Sequence, residues 1–130
     1  MATHLIKYSV DGSGIQLEKT ITSTASGVAL IDGEQVTTAT TDGPVNFDLD
    51  VSACVSFFLV SDQAITIETN ATDATGGNTM VLRANEPYAW HTNSKDSFLF
   101  TEDIAIMYVT NASGATATIY CVALFDPSPA

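Results

Sequence analysis

The stretch that decides the fold is Ala115-Thr116-Ala117-Thr118-Ile119-Tyr120-Cys121-Val122-Ala123-Leu124-Phe125. It has the period-2 pattern and the length of a long β-strand, in which successive side chains point to opposite faces. Just upstream, Ile104-Ala105-Ile106-Met107-Tyr108-Val109-Thr110 reads as another strand. The connector Asn111-Ala112-Ser113-Gly114 supplies Asn and Gly, which tolerate the positive φ of a tight reversal, so a hairpin is expected here.

Working outward, Ile65-Thr66-Ile67-Glu68-Thr69-Asn70 alternates apolar and polar residues. A small, polar loop from Ala71 to Asn78 follows, and Thr79-Met80-Val81-Leu82-Arg83-Ala84 resumes, predicting a second hairpin. Asn85 and Pro87 mark a corner before the short aromatic strand Tyr88-Ala89-Trp90-His91, and Thr92 to Asp96 is another polar loop. The run Ala53 to Val60 is nearly continuous in apolar residues, as in a central strand covered on both faces.

Toward the N-terminus, Leu5 to Val10 and Ile15 to Thr22 flank the turn-forming Asp11-Gly12-Ser13-Gly14. Val28 to Ile31, Val36 to Thr41 and Val45 to Leu49 follow, separated by Asp32-Gly33 and Asp42-Gly43-Pro44. Turn signals spaced by about 8–12 residues, threonine-rich strands and no long helix predict one all-β domain over residues 1–130, an antiparallel sandwich or barrel. Residues 1–10 are read as an extended N-terminal arm and 126–130 as an extended tail.

Fifteen acidic residues against four basic ones give a formal charge of −11. With 45% hydrophobic and 15% charged residues, the chain is too apolar for an acidic disordered tail. Lys7, Lys19, Arg83 and Lys95 are scattered singly, which disfavours a nucleic acid or an anionic membrane as partner. No apolar run approaches the roughly 20 residues of a spanning helix, and Met1 to Lys7 has no signal-peptide pattern. The chain is expected in the cytosol that makes it, or released by lysis. Cys54 and Cys121 lie within apolar runs without partners at metal-like spacing, and are expected as buried reduced thiols.

Catalytic constellations are missing from the pattern. His4 and His91 are too few and too far apart in sequence for a cupin-like metal cluster. Asp48 and Asp50 share a face of an extended segment but match no calcium loop, and are read as a solvated strand face. No Gly-x-Ser-x-Gly elbow occurs, and the glycosylation-like Asn70-Ala71-Thr72 and Asn111-Ala112-Ser113 are read as turns. Tyr88, Trp90 and His91 beside a polar loop offer a platform on which a sugar could stack. Packing in a core or subunit interface is the stronger reading of the same rings. No catalytic residue, cofactor or metal is therefore assigned.

From about Ala64 to Leu124 the chain resembles small virion proteins of tailed bacteriophages. The resemblance rests on the strand Ile65 to Asn70, the Gly-rich loop after it, the segment Pro87 to His91, and the closing run Val109 to Thr118. It implies an antiparallel β-sandwich of jelly-roll form and a non-enzymatic capsid decoration (cement) protein, bound to the outer surface of a phage head after synthesis in the host cytoplasm. The implied partners are the major capsid protein and further copies of the chain, as dimer or trimer, with no nucleic acid or membrane. Tyr88, Trp90, His91, Leu5, Ile6 and Tyr8 are the candidate interface residues, and Met1 to Val10 with Asp126 to Ala130 are the segments expected to reach the capsid. The alternative is a carbohydrate- or receptor-binding module of a head fibre or tail-fibre tip.

Overall fold

The computed structural model describes residues 2–73 and 76–126. The N-terminal strands β1 (Ala2–Gly12) and β2 (Ile15–Ala25) pair with each other in a separate two-stranded sheet. Gly12 faces Ile15 across a two-residue turn in which Ser13 and Gly14 have φ of 53° and 78°. Positive φ at both central residues is the signature of the type I′ turn, whose twist matches that of the flanking strands. The expected N-terminal arm is thus a hairpin over residues 2–25, longer than the single extended segment 1–10.

Eight further strands make the body: β3 (Gly27–Val36), β4 (Thr40–Val45), β5 (Cys54–Ser61), β6 (Ile65–Thr69), β7 (Thr79–Leu82), β8 (Tyr88–His91), β9 (Met107–Asn111) and β10 (Ala117–Phe125). They form two four-stranded antiparallel sheets, ordered β3-β10-β5-β8 and β4-β9-β6-β7. The fold is a β-sandwich, one of the two forms that the alternation and turn spacing allow. Its pairings are nested: β6 with β7, β5 with β8, β4 with β9 and β3 with β10. The chain therefore runs as one long antiparallel ribbon, closed at the β6–β7 loop and wrapped into two layers.

Between the layers, Phe57, Leu59, Ile67, Phe100, Ile104, Met107, Val109 and Ile119 are fully buried. Burial of each such side chain contributes about 1.5–3 kcal/mol, which makes this interlayer cluster the main source of stability. Cys54 and Cys121 are buried free thiols, matching the sequence reading. The expected hairpin across Asn111-Ala112-Ser113-Gly114 is overturned, because β9 and β10 belong to different sheets. Asn111 is the reason. Its buried Nδ2 donates to the carbonyls of Val36 and Ala115 at 2.9 and 2.8 Å, while Oδ1 accepts from the backbone N and Oγ of Ser113. The side chain ties the end of β3 to the connector and turns the chain from one layer to the other.

Two other turn signals mark irregular strands. Asp32-Gly33 lies inside β3, where the register with β10 shifts beside Gly33 at φ 74°. Asp42-Gly43-Pro44 lies inside β4, which also shifts register against β9. β4 is an edge strand, the position in a sheet where a residue without an N–H is tolerated. Turn-forming composition here encodes bulges that bend strands around the sandwich.

Candidate assembly surface

Directly opposed residues of a hairpin share a face. The register of β1 with β2 therefore collects Ala2, His4, Ile6, Tyr8 and Val10 with Ala25, Ser23, Ile21, Lys19, Leu17 and Ile15 on one side. The other side carries Thr3, Leu5, Lys7, Ser9 and Asp11 against Thr24, Thr22, Thr20, Glu18 and Gln16. One face is apolar except for Lys19, His4 and Ser23; the other is polar except for Leu5. Lys7 Nζ and Glu18 Oε1 form an exposed ion pair 3.4 Å apart on the polar face.

Eleven residues per strand make an arm about 36 Å long. Only its root is docked. Ile6 and Ala25 are buried, and Ile21 to Thr24 line a cleft with Val55, His91, Thr92 and Asn93. Beyond Ile6 the apolar face is open: Tyr8, Val10, Ile15 and Leu17 are 47, 63, 55 and 61% exposed. A two-stranded ribbon holding four large apolar side chains in water is an incomplete element, and none of the described residues covers it.

A second open apolar surface lies on the outer side of the β3-β10-β5-β8 sheet. Register places Leu30, Val122, Phe58 and Ala89 in one row across the four strands, and Asp32, Tyr120 and Val60 in the next. Val28, Leu30 and Tyr120 are exposed, and Phe58, Val60 and Val122 are half-buried. The reading of β5 as covered on both faces holds only at its start. Ser56 points outward beside Leu124, yet both are buried, because β2 packs on β10 and β5 at that end.

The six residues singled out from sequence divide among three surroundings. Tyr8 lies on the open apolar face of the arm, Leu5 on its polar face, and Ile6 is buried at the root. Tyr88 and Trp90 pair with Leu59 and Phe57 on the inward side of β8, whereas His91 pairs with Ser56 on the outward side, under the arm. The three do not form one platform. Trp90 stacks on Phe98 at 4.4 Å and 16°, and its Nε1 donates to the Asp96 carbonyl. The Tyr88 ring lies 5.9 Å from Phe57, and its hydroxyl accepts from the Leu99 amide. Burial pushes that hydroxyl's pKa up. These rings fasten the loop after β8 to the core.

Asp50 caps the 3-10 turn Val51–Ala53, accepting from the backbone N and Oγ of Ser52, and these bonds hold its carboxyl below the usual range. Asp48 is exposed. Asn70, at φ 66°, donates from Nδ2 to the Asp103 carbonyl and accepts from the Ala105 amide, so both glycosylation-like asparagines serve loop architecture. Among the described residues, no three of His, Cys, Asp and Glu converge as a metal-ligand set. Met1 and the tail 127–130, part of the expected capsid contacts, lie outside the described residues.

Sequence reasoning included Val10 in the segment expected to reach the capsid, but missed Ile15, Leu17 and the outward row of the sheet. The signal was present in the alternation of residues 15–21 about the Ser13-Gly14 turn, but it assigns a face only once the register is known. No family model matches the chain, and no curated protein or solved structure matches it.

Proposed function

We propose that this protein is a non-enzymatic structural component of a tailed-phage virion, a decoration or cement protein that binds the outer surface of the head and bridges major capsid subunits. The observation that supports this reading best is the arm: a ribbon with one uncovered apolar face, hung from a sandwich whose own core is complete. Such an element suits binding to protein surfaces, since its exposed apolar area is stabilised only on contact. The nested strand pairing supports reading the sandwich as a jelly roll, two interleaved Greek keys in two sheets. The charge of −11 suits an outward-facing position away from packaged DNA, and steers the protein toward basic patches on a shell.

The sugar-binding alternative draws less support, because Tyr88 and Trp90 are occupied with Phe57 and Phe98. The test is to mix purified protein with expanded, undecorated capsids. Co-sedimentation at a saturating ratio is expected. Failure to co-sediment, together with absence of the protein from virions, overturns the reading.

A further inference from the structure

The two open apolar surfaces belong to one chain and are suited to each other. We propose that the outer half of the arm docks, apolar face down, on the open outer face of the β3-β10-β5-β8 sheet of a second copy of this chain. The inference rests on the reading of the protein as an assembling module and names the partner of its arm.

Continuity is the first argument. The root of the arm already covers the outer side of this sheet within its own copy, where Leu124 is fully buried although it points away from the core cluster. The next row, Leu30, Val122, Phe58 and Ala89, offers the same chemistry with less cover, Leu30 being 60% exposed and Val122, Phe58 and Ala89 half-buried. In its own copy the outer arm leaves that row open, with Tyr8, Val10, Ile15 and Leu17 47–63% exposed. Ser26 alone separates β2 from β3, and a Cβ at Gly27 would lie 2.5 Å from the Phe125 ring, so the junction is tight. The root is held at the end of the sheet, where Ile21 to Thr24 line a cleft with Val55, His91 and Thr92.

Charge is the second argument. The arm holds Lys7 and Lys19 against Asp11 and Glu18, so it is formally neutral and the entire −11 falls on the body. A neutral ribbon can approach an acidic copy without the repulsion that two bodies would meet face to face. Lys19 stands in the apolar face between Leu17 and Ile21, while the sheet's open rows end at Asp32 and, beside Tyr120, at Asp62. A docked arm can place that ammonium against this acidic rim.

Area is the third. Four large side chains on the arm and a similar set on the sheet, exchanged reciprocally, remove about 1,000–2,000 Å² from water, within the range of specific stable interfaces. Reciprocal exchange gives a dimer, and passing each arm to the next copy gives a closed ring.

The test is molar mass by light scattering and sedimentation across the micromolar range. The wild type is expected as a dimer or closed ring. Val10→Lys with Leu17→Lys on the arm, or Leu30→Lys on the sheet, should each reduce the mass to that of one chain, with an unchanged circular dichroism spectrum. Because the first variant keeps an intact sheet face and the second an intact arm, mixing the two should restore association, whereas Thr20→Lys on the polar face should leave the oligomer intact. A monomeric wild type overturns the inference, as does an oligomer that survives both the arm and the sheet variants. Association without capsid binding leaves this inference standing and removes the cement reading; capsid binding by a protein that stays monomeric does the reverse.

Discussion

Ile6 stands directly opposite Ile21 across the arm, at the level where the hairpin's apolar face passes from contact with the sandwich to exposure. Four residues further along β1, Val10 faces Leu17 with most of both side chains in water. One continuous face therefore does two things: its root anchors the arm, and its outer half remains available for another surface. Separating these roles by mutation is the most direct way to learn whether the arm acts as a unit.

Ile6→Ala removes apolar area from the anchor alone. A cost of about 1–3 kcal/mol is expected, smaller than for an interlayer residue because the root is covered from one side only. Hydrogen exchange should accelerate across residues 2–25 while β5, β9 and β10 keep their protection. Uniform acceleration across the sandwich would show that the arm is part of the cooperative core.

Asn111 makes the opposite kind of contribution, since it is buried and every polar atom of its side chain is engaged. Asn111→Ala strips the donor from the Val36 and Ala115 carbonyls and the acceptor from Ser113, at a cost of about 2–4 kcal/mol. Asn111→Asp keeps the acceptor but turns a carboxylate toward two carbonyls, so it should be no better tolerated. The denaturant midpoint of each variant measures this, and an unchanged midpoint would mean that the β9-to-β10 corner is held by the chain alone.

The same asparagine explains what was legible in the sequence. Alternation in residues 65–70 and 117–125 revealed strands, because period-2 burial leaves its mark on composition. It did not reveal that β9 and β10 part into different sheets. An Asn near a Gly looks alike whether its side chain closes a tight turn or reaches across to Val36, and the partner lies 75 residues away. Likewise Asp32-Gly33 and Asp42-Gly43-Pro44 have turn composition but sit in bulged strands, since both features need the same backbone freedom. Of the candidate surface, Leu5, Ile6 and Tyr8 were legible as apolar residues near the N-terminus. Their division into an open face, a polar face and a buried root depends on a register fixed by the Ser13-Gly14 turn.

His4 shares the apolar face of the arm with Ile6 and stands opposite Ser23 near the root. Partial burial holds its pKa below the ordinary 6.5, so the neutral imidazole is favoured when the arm is docked. The sign follows from linkage: docking keeps its full strength above pH 6.5 and weakens as pH falls through the lowered value, because the released arm binds the proton more readily. Exchange protection at residues 2–6 and 21–25 should decline below pH 6.5 in the wild type and much less in His4→Gln. An equal decline in both would assign the effect to other groups.

Cys54 and Cys121 test the interlayer core without disturbing it. Burial pushes the Cys54 thiol up to about 11 and the Cys121 thiol higher still, with Cys54 as a second, electrostatic cause at Cys121. The thiolate is the reactive form. At pH 8 a thiol with a pKa near 11 is ionised to roughly one part in a thousand, against about a quarter for an unfolded cysteine with pKa near 8.5. Alkylation in the native state should therefore be slower than in the unfolded chain by at least about 100-fold, and buried position slows it further. The two thiols should differ in how they open. Cys121 lies on β10 between β3 and β5, so its labelling requires both pairings to yield and should track global unfolding. Cys54 begins β5, one residue before the Val55 that lines the cleft with the arm's root, and should label first when Ile6→Ala frees the arm. Equal rates at both thiols in that variant would mean that the root shields neither of them.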